Sequence, residues 1–210
     1  MKKAGFYILL LSCLNVKAQE YFEGEIIYKT IIQKKDPAFD VTSIPIYPAT
    51  TLSFLFKQGL WINRPDTSMI EFGHFRWDDN RQYYKFRGFD TLYYTDYSVL
   101  NPELEGLQSI DSEMNTDTIL GMICNSLILK TPKLTLTLVY SPLIAVNPTW
   151  FEKTKGAYYD LIYSRTKSLY LKSIVEYEQY ISSDEAVKIT NKKIPNEVFE
   201  SINKLPKVPL

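Results

Sequence analysis

The chain contains few of the residues on which reactive sites depend. Its 210 residues include two cysteines and a single histidine, His74. A Ser-His-Asp triad, a Cys-His pair or a metal site with several histidines would have to use this one imidazole or do without it. We expect His74 to be a solvated residue of a turn or a strand. The sequence therefore predicts a protein that is not an enzyme, with no catalytic residue, no metal site and no cofactor.

The chain also lacks an excess of either charge, because 24 lysines and arginines balance 24 acidic residues. Gripping nucleic acid requires a concentrated basic patch, so nucleic acid is not an expected partner. The acidic runs at 78–80 and 103–105 lack the alternating oxygen ligands and the central glycine of a calcium loop. We interpret them as turns and helix caps. A carboxylate pair for glycoside hydrolysis depends on a spatial separation that sequence alone does not define.

No apolar run reaches the roughly 20 residues that a membrane-spanning helix needs. At the N-terminus the letters MKK precede an apolar stretch at 4–11, and small residues lead up to Ala18. This three-part pattern is typical of a signal peptide. We predict a signal peptide at 1–18, a single domain at 19–210 without a transmembrane segment, and a periplasmic or secreted protein in the envelope of a Gram-negative-type cell.

The two cysteines bear on this prediction. Cys13 ends the letters LLSC, which resemble a lipobox, so a lipoprotein anchored at Cys13 is the alternative to cleavage after Ala18. Cleavage after Ala18 leaves Cys124 alone, which excludes an intramolecular disulfide and a cysteine zinc cluster. Cys124 lies in an apolar run, where we expect a buried and inert thiol.

Aromatic residues are abundant, with 16 Tyr, 11 Phe and 3 Trp against 8 Gly. Such residues favour the pleated surface of a sheet. From Phe22 to Ile32 apolar residues alternate with charged ones, which indicates a strand with one wet face. The sequence predicts a mostly β (α+β) fold, a single curved antiparallel sheet or unclosed barrel of about ten strands with a few short covering helices. Strands are predicted at 22–32, 51–57, 60–63, 68–72, 81–86, 91–96, 106–112, 121–130, 133–138, 157–165, 168–180 and 185–191.

Helices are predicted only as short pieces that cover an edge or the concave side of the sheet. Asn101, Asn147 and Asn196 occupy capping positions, and proline follows the first two. The segment 34–50 breaks the alternation and contains three prolines, so we interpret it as an ordered loop and a candidate lid. The proline-rich tail at 205–210 is predicted to lack regular structure.

The candidate ligand-binding residues are apolar side chains that share one face of a strand, together with the apolar residues of the lid. Such stripes either fill a core or, on a curved sheet, line a pocket for an apolar ligand. Adjacent tyrosines in a strand point to opposite faces, so one of each pair packs across strands or contributes to a sugar- or lipid-binding surface. The predicted hydrophobic site consists of Leu52, Phe54, Phe56, Leu134, Leu136, Leu138, Phe39, Ile44 and Ile46.

Three motifs together resemble a known group of exported proteins. They are FEGEIIYK at 22–29, DTILGMIC at 117–124, and Asn147-Pro148 followed by Phe151 and by Lys155-Gly156. The chain resembles exported envelope proteins of unknown function related to the GLPGLI family and to LolA-like lipoprotein carriers. The resemblance implies a curved antiparallel sheet, an unclosed barrel whose concave face is covered by short helices and holds acyl chains.

Two functions follow as expectations. The first is a non-enzymatic periplasmic protein that binds a hydrophobic ligand, a lipid or the acyl chain of a lipoprotein, in the concave face of a β half-barrel. The alternative is a structural or protein-interaction module of the cell envelope without a small-molecule ligand. Such a module would dock an envelope protein through a tyrosine-rich face or a free strand edge.

Overall fold

The computed structural model describes residues 20–44, 47, 49–200 and 204–210. The predicted signal peptide, with Cys13 and Ala18, and the lid residue Ile46 lie outside these ranges. Within them, no helix is both long enough and apolar enough to cross a membrane.

The described residues form one 12-stranded sheet in the order β12-β6-β5-β4-β3-β2-β1-β11-β10-β9-β8-β7. Strand β1 lies inside it, paired with β2 on one side and with β11 on the other. All pairs are antiparallel except β12 with β6. The strands are β1 (Gly24–Lys34), β2 (Thr51–Lys57), β3 (Leu60–Pro65), β4 (Ile70–Arg76), β5 (Arg81–Phe86), β6 (Leu92–Asp96), β7 (Ser109–Ile119), β8 (Met122–Lys130), β9 (Leu134–Ala145), β10 (Ser168–Tyr177), β11 (Tyr180–Asn191) and β12 (Lys207–Pro209).

The sheet is curled but not closed. Tyr84 of β5 and Val175 of β10 line the same cleft, although β4, β3, β2, β1 and β11 separate their strands in the sheet. The end strands β12 and β7 do not pair with each other, so the barrel stays open. The predicted fold class, a mostly β half-barrel with a few short helices, is confirmed.

Short helices cover both faces of the sheet. The concave side holds the 3-10 helices Pro102–Leu104 and Pro148–Phe151 and the helix α1 (Tyr159–Thr166), while α2 (Glu197–Glu200) covers the convex side. Three of these elements stand at the predicted asparagine caps, and the Asn147 side chain accepts a hydrogen bond from the Thr149 amide at 3.1 Å. A further 3-10 helix, Val41–Ser43, lies in the predicted lid.

The connection 97–108 crosses the concave side, because β6 and β7 lie near opposite ends of the sheet. The Tyr97 carbonyl accepts hydrogen bonds from the amides of Lys155 and Gly156 at 2.6 and 2.9 Å. Farther along, the Tyr158 hydroxyl donates to the Leu104 carbonyl at 2.7 Å. These bonds fix the connection to the segment that leads into α1.

The strand predicted at 157–165 is wrong, because this segment forms α1. Tyr159, Ile162, Tyr163 and Thr166 follow the i, i+3, i+4, i+7 spacing of one helix face. Residues of that face pack on the concave side of the sheet, where Ile162 and Tyr163 are buried. The helical period of this segment therefore decides its structure.

Two further predictions are wrong. His74 is fully buried in β4 and packs on the convex side between Tyr83 and Phe199, at ring distances of 6.5 and 5.8 Å, because α2 covers it. The proline-rich tail forms β12, which pairs with β6 in parallel. Its strand is possible because a sheet edge tolerates a proline that donates no ladder hydrogen bond.

Candidate functional site: a cavity and a cleft on the concave face

An apolar cavity of about 180 Å³ lies between α1 and the strands β8, β9 and β10. The strands supply aliphatic side chains from below, and the helix and the segment before it supply Tyr158, Tyr159, Ile162 and Tyr163 from above. The cavity is lined by Leu104, Leu129, Thr131, Leu134, Leu136, Leu138, Tyr140, Ala157, Tyr158, Tyr159, Ile162, Tyr163, Thr166, Ser168, Tyr170 and Ser173.

One of the two predicted stripes lines this cavity. Leu134, Leu136 and Leu138 occupy alternate positions of β9 and therefore share its concave face. Leu134 and Leu138 are buried, whereas Leu136 is half-buried. The structure thus brings three of the predicted site residues together on one wall.

The other stripe, Leu52, Phe54 and Phe56 of β2, lies in a packed aromatic core. All three residues are buried, and none lines the cavity. Phe54 and Phe56 stack at 6.3 Å between their ring centroids, and Phe54 also contacts Trp61 at 6.0 Å. Here large rings fill the concave space that the leucines of β9 leave open.

Two of the predicted lid residues lie at the open end of the concave side. Ile44 is buried and lines a second depression, an open cleft of about 450 Å³. Phe39 stacks on Tyr180 at 5.0 Å, and Tyr180 also lines this cleft. The cleft is lined by Ile44, Ile70, Tyr84, Phe86, Thr95, Tyr97, Asn101, Val175, Tyr177, Tyr180, Ser182 and Leu210.

The cavity and the cleft lie side by side. Ser173 lines the cavity, and Val175, two residues farther on the same face of β10, lines the cleft. On the opposite side, Tyr97 of the cleft contacts Tyr159 of the cavity at 5.7 Å between ring centroids.

Tyrosine is the most frequent hydroxyl-bearing residue type among the residues that line the cavity. Tyr28, which lies next to the cavity and does not line it, donates to the Tyr170 carbonyl at 2.8 Å, crossing β11 at the small residue Ala186. Burial raises the pKa of Tyr28, Tyr159, Tyr163 and Tyr170 above the usual range of tyrosine. These groups are therefore protonated hydroxyls that can donate hydrogen bonds.

A carboxyl group, Asp184 of β11, lies next to these hydroxyls and was missed by the sequence analysis. It faces Thr30 of β1 and Ser173 of β10 in the register of the sheet, and the Thr30 Oγ1 donates to its Oδ1 at 2.6 Å. Burial raises the pKa of this carboxyl. The available signal was the order Ser182, Asp184, Ala186, which places polar residues on the inward positions of a strand.

The other chemically notable side chains do not join this site. Cys124 is buried, as predicted, its thiol donates to the Met122 carbonyl at 3.2 Å, and burial raises its pKa. His74 lies on the convex side, so it does not pair with Cys124. Within the part of the chain that the structure describes, no three His, Cys, Asp or Glu side chains are grouped to hold a metal ion.

Comparison with known proteins yields distant similarities. No family model matches the chain, and no curated protein is significantly similar to it. Among solved structures, PNGF-II is 11% identical with a TM-score of 0.47 over 89% of this chain and 32% of its own. The lipoprotein LppX of Mycobacterium tuberculosis is 8% identical with a TM-score of 0.36 over 82% and 90% of the two chains. LprF of Mycobacterium bovis is 10% identical with a TM-score of 0.31 over 82% and 88%.

The chain thus spans about a third of the length of the PNGF-II structure. At these scores the similarities carry no argument about activity or ligand. The resemblance to GLPGLI-related and LolA-like proteins stays a prediction, because no family model supports it.

Proposed function

We propose that this protein is a non-enzymatic, exported envelope protein that binds a hydrophobic ligand, a lipid or an acyl chain, on the concave face of its half-barrel. The observation that carries the proposal is the apolar cavity between α1 and the leucine stripe of β9. An apolar cavity inside an otherwise packed protein can bind small apolar molecules. The periplasmic or secreted location rests on the predicted signal peptide.

The size of the two spaces suits a chain-like ligand better than a compact one. Typical pockets for small molecules measure roughly 300–1,000 Å³, and the cavity alone, at about 180 Å³, is smaller. A flexible chain can occupy the cavity, and the neighbouring cleft offers room for the rest of the ligand. Each buried methylene contributes about 0.8 kcal/mol, so six of them contribute about 5 kcal/mol before the cost of ordering the ligand.

Filling the cavity tests this proposal. In the variant Leu136→Trp, the larger side chain would occupy the space that a ligand needs. The matched control is Thr137→Trp, because Thr137 is the next residue of β9 and faces the other side of the sheet. Binding is measured by the fluorescence of N-phenyl-1-naphthylamine, an uncharged apolar probe, after lipid extraction of the purified protein.

We expect the wild type and Thr137→Trp to bind the probe and Leu136→Trp to bind at least tenfold more weakly. Equal binding by both variants, or no binding by the wild type, would contradict the proposal. Native mass spectrometry of protein purified from its own envelope adds an independent readout, since a bound lipid adds a discrete mass.

A second candidate, a protein-interaction module, is favoured by a different observation. Apolar side chains are exposed around a shallow depression near the β7–β8 turn, where Leu120, Leu143 and Val187 are 49%, 74% and 49% exposed. Exposed apolar patches often mark contacts with partners. Chemical cross-linking in cells that express the wild type or Leu143→Asp tests this candidate. If the protein is an interaction module, the wild type should be cross-linked to a partner protein and the variant should not.

A further inference from the structure

The concave site has no positively charged side chain among the described residues that line it. The residues that line the cavity and the cleft include tyrosine, serine and threonine hydroxyls but no lysine, arginine or histidine among those that the structure describes. Asp184 is an acidic group of the sheet beneath them. Its neighbour Ser173 on β10 lines the cavity, and Ser182, two residues before it on β11, lines the cleft. Asp184 itself lines neither space, but the register places it beside the boundary between the two.

The hydrogen bonds of Asp184 leave one oxygen available. Thr30 donates to Oδ1 at 2.6 Å. No described residue donates to Oδ2, and the residue is half-buried. The charged or titratable groups that interact with Asp184 are the hydroxyls of Tyr28 and Tyr170, and no described cation forms an ion pair with it.

This arrangement discriminates between the polar ends of amphiphiles. A carboxylate or phosphate placed between the cavity and the cleft would lose hydration, find no cation, and lie next to an acidic group, all of which are unfavourable. A hydroxyl group can donate to Asp184 and accept from a neighbouring tyrosine hydroxyl, so that its own polar atoms stay satisfied.

We propose that the site selects amphiphiles whose polar end is an uncharged hydrogen-bond donor, such as the hydroxyl of a long-chain alcohol or an acylglycerol, and that Asp184 accepts the hydrogen bond from this end. Anionic amphiphiles, including ionised fatty acids and phospholipids, are disfavoured. The inference rests on the proposed function, because it names the ligand class of the same cavity.

The test uses two probes that share a twelve-carbon chain, 1-dodecanol and dodecanoate, which compete with N-phenyl-1-naphthylamine at pH 8. The proteins are the wild type, Asp184→Asn and Glu185→Gln. Asparagine keeps an acceptor for Thr30 but removes the acidic group. Glu185 is the matched control, since it lies on the opposite face of β11 in an ion pair with Lys172 at 2.8 Å.

We expect Asp184→Asn to strengthen the competition by dodecanoate, relative to that by dodecanol, at least fivefold. Glu185→Gln should keep the wild-type ratio. Circular dichroism verifies the fold, and Asp184→Ser replaces the asparagine variant if that variant does not fold. If the fluorescent probe binds but the ratio is the same in the wild type and the Asp184 variant, the selectivity inference is refuted and the proposed function stands. If neither the probe nor dodecanol binds the wild type, the proposed function itself fails.

Discussion

The burial of His74 predicts a specific loss of stability in acid. The imidazole is fully buried beneath α2, and neither ring nitrogen has a hydrogen-bond partner among the described residues. Burial, assisted by the nearby charge of Arg76, lowers the pKa of His74 from 6.5 to about 3. The folded protein therefore holds the neutral ring, whereas the unfolded chain takes up a proton below pH 6.5.

The sign and size of the effect follow from this difference. Because the pKa of His74 is lower in the folded state, its contribution to the free energy of unfolding is fully present above pH 6.5 and is lost as the pH falls toward 3. One pKa unit corresponds to about 1.4 kcal/mol. Between pH 7 and pH 4, the proton taken up by the unfolded chain costs the folded state about 3 kcal/mol. This is a large fraction of the roughly 5–15 kcal/mol that stabilises a typical domain.

The variant His74→Leu removes this titration while keeping an apolar side chain of similar size. We expect it to be at least as stable as the wild type at pH 7, because it removes two unpaired buried nitrogens. At pH 4 its advantage should be greater by about 3 kcal/mol. Urea unfolding followed by tryptophan fluorescence at both pH values measures the difference in the free energy of unfolding. Both proteins contain the same carboxylates, so the contribution of these groups to the pH dependence cancels in the difference.

The control is Ile62→Val, because Ile62 is buried and pairs with His74 across β3 and β4. It should destabilise the protein by about 0.5–1.5 kcal/mol at both pH values. If the stability difference between His74→Leu and the wild type is the same at pH 7 and pH 4, the buried-neutral assignment is refuted.

Two remaining predictions concern the contact between Gly156 and the connection 97–108, and the N-terminus. In Gly156→Ala the new Cβ would lie 2.8 Å from the Tyr97 Cα, so we expect the free energy of unfolding, measured in urea, to fall by about 1–3 kcal/mol. An unchanged midpoint would show that the connection 97–108 shifts to accommodate the methyl group without cost. The intact mass of protein from its own envelope should correspond to a chain that begins at Gln19, and a lipid-modified mass that begins at Cys13 would instead support the lipoprotein alternative.

The sequence predicted the sheet because period-two alternation is a local property of each strand. Leu134, Leu136 and Leu138 share one face of β9 whatever the rest of the chain does, and the same reasoning applied to Leu52, Phe54 and Phe56. The asparagine and proline caps likewise predicted short helices correctly, since a cap acts on the turn next to it. The fold class and one wall of the candidate site were therefore accessible from local patterns.

The rest depended on contacts between distant segments. Whether an apolar stripe faces solvent, a packed core or a cavity depends on which element lies over it. The stripe of β9 faces a cavity because α1 lies over it, and this segment was predicted to be a strand. The inward position of Asp184 depends on the register of β11 against β1 and β10. His74 is buried by α2, a short helix that lies more than a hundred residues later in the chain. The residues next to His74 in the sequence could not predict this contact.

The two halves of the concave face follow the same alternation but differ in the size of their side chains. On β3 and β4, Trp61 and Phe75 are large enough to contact Phe151, and they stack on each other at 4.1 Å, while Phe54 of β2 packs on Trp61. On β9 the leucines are shorter, and α1 is held above them by bonds that end at the connection 97–108. The gap that results is bounded by the leucines of the sheet below and by Tyr158, Tyr159, Ile162 and Tyr163 above. A ligand that replaces the missing rings would therefore need an apolar body and one hydrogen-bonding end, which is the composition of the amphiphiles that the binding experiments compare.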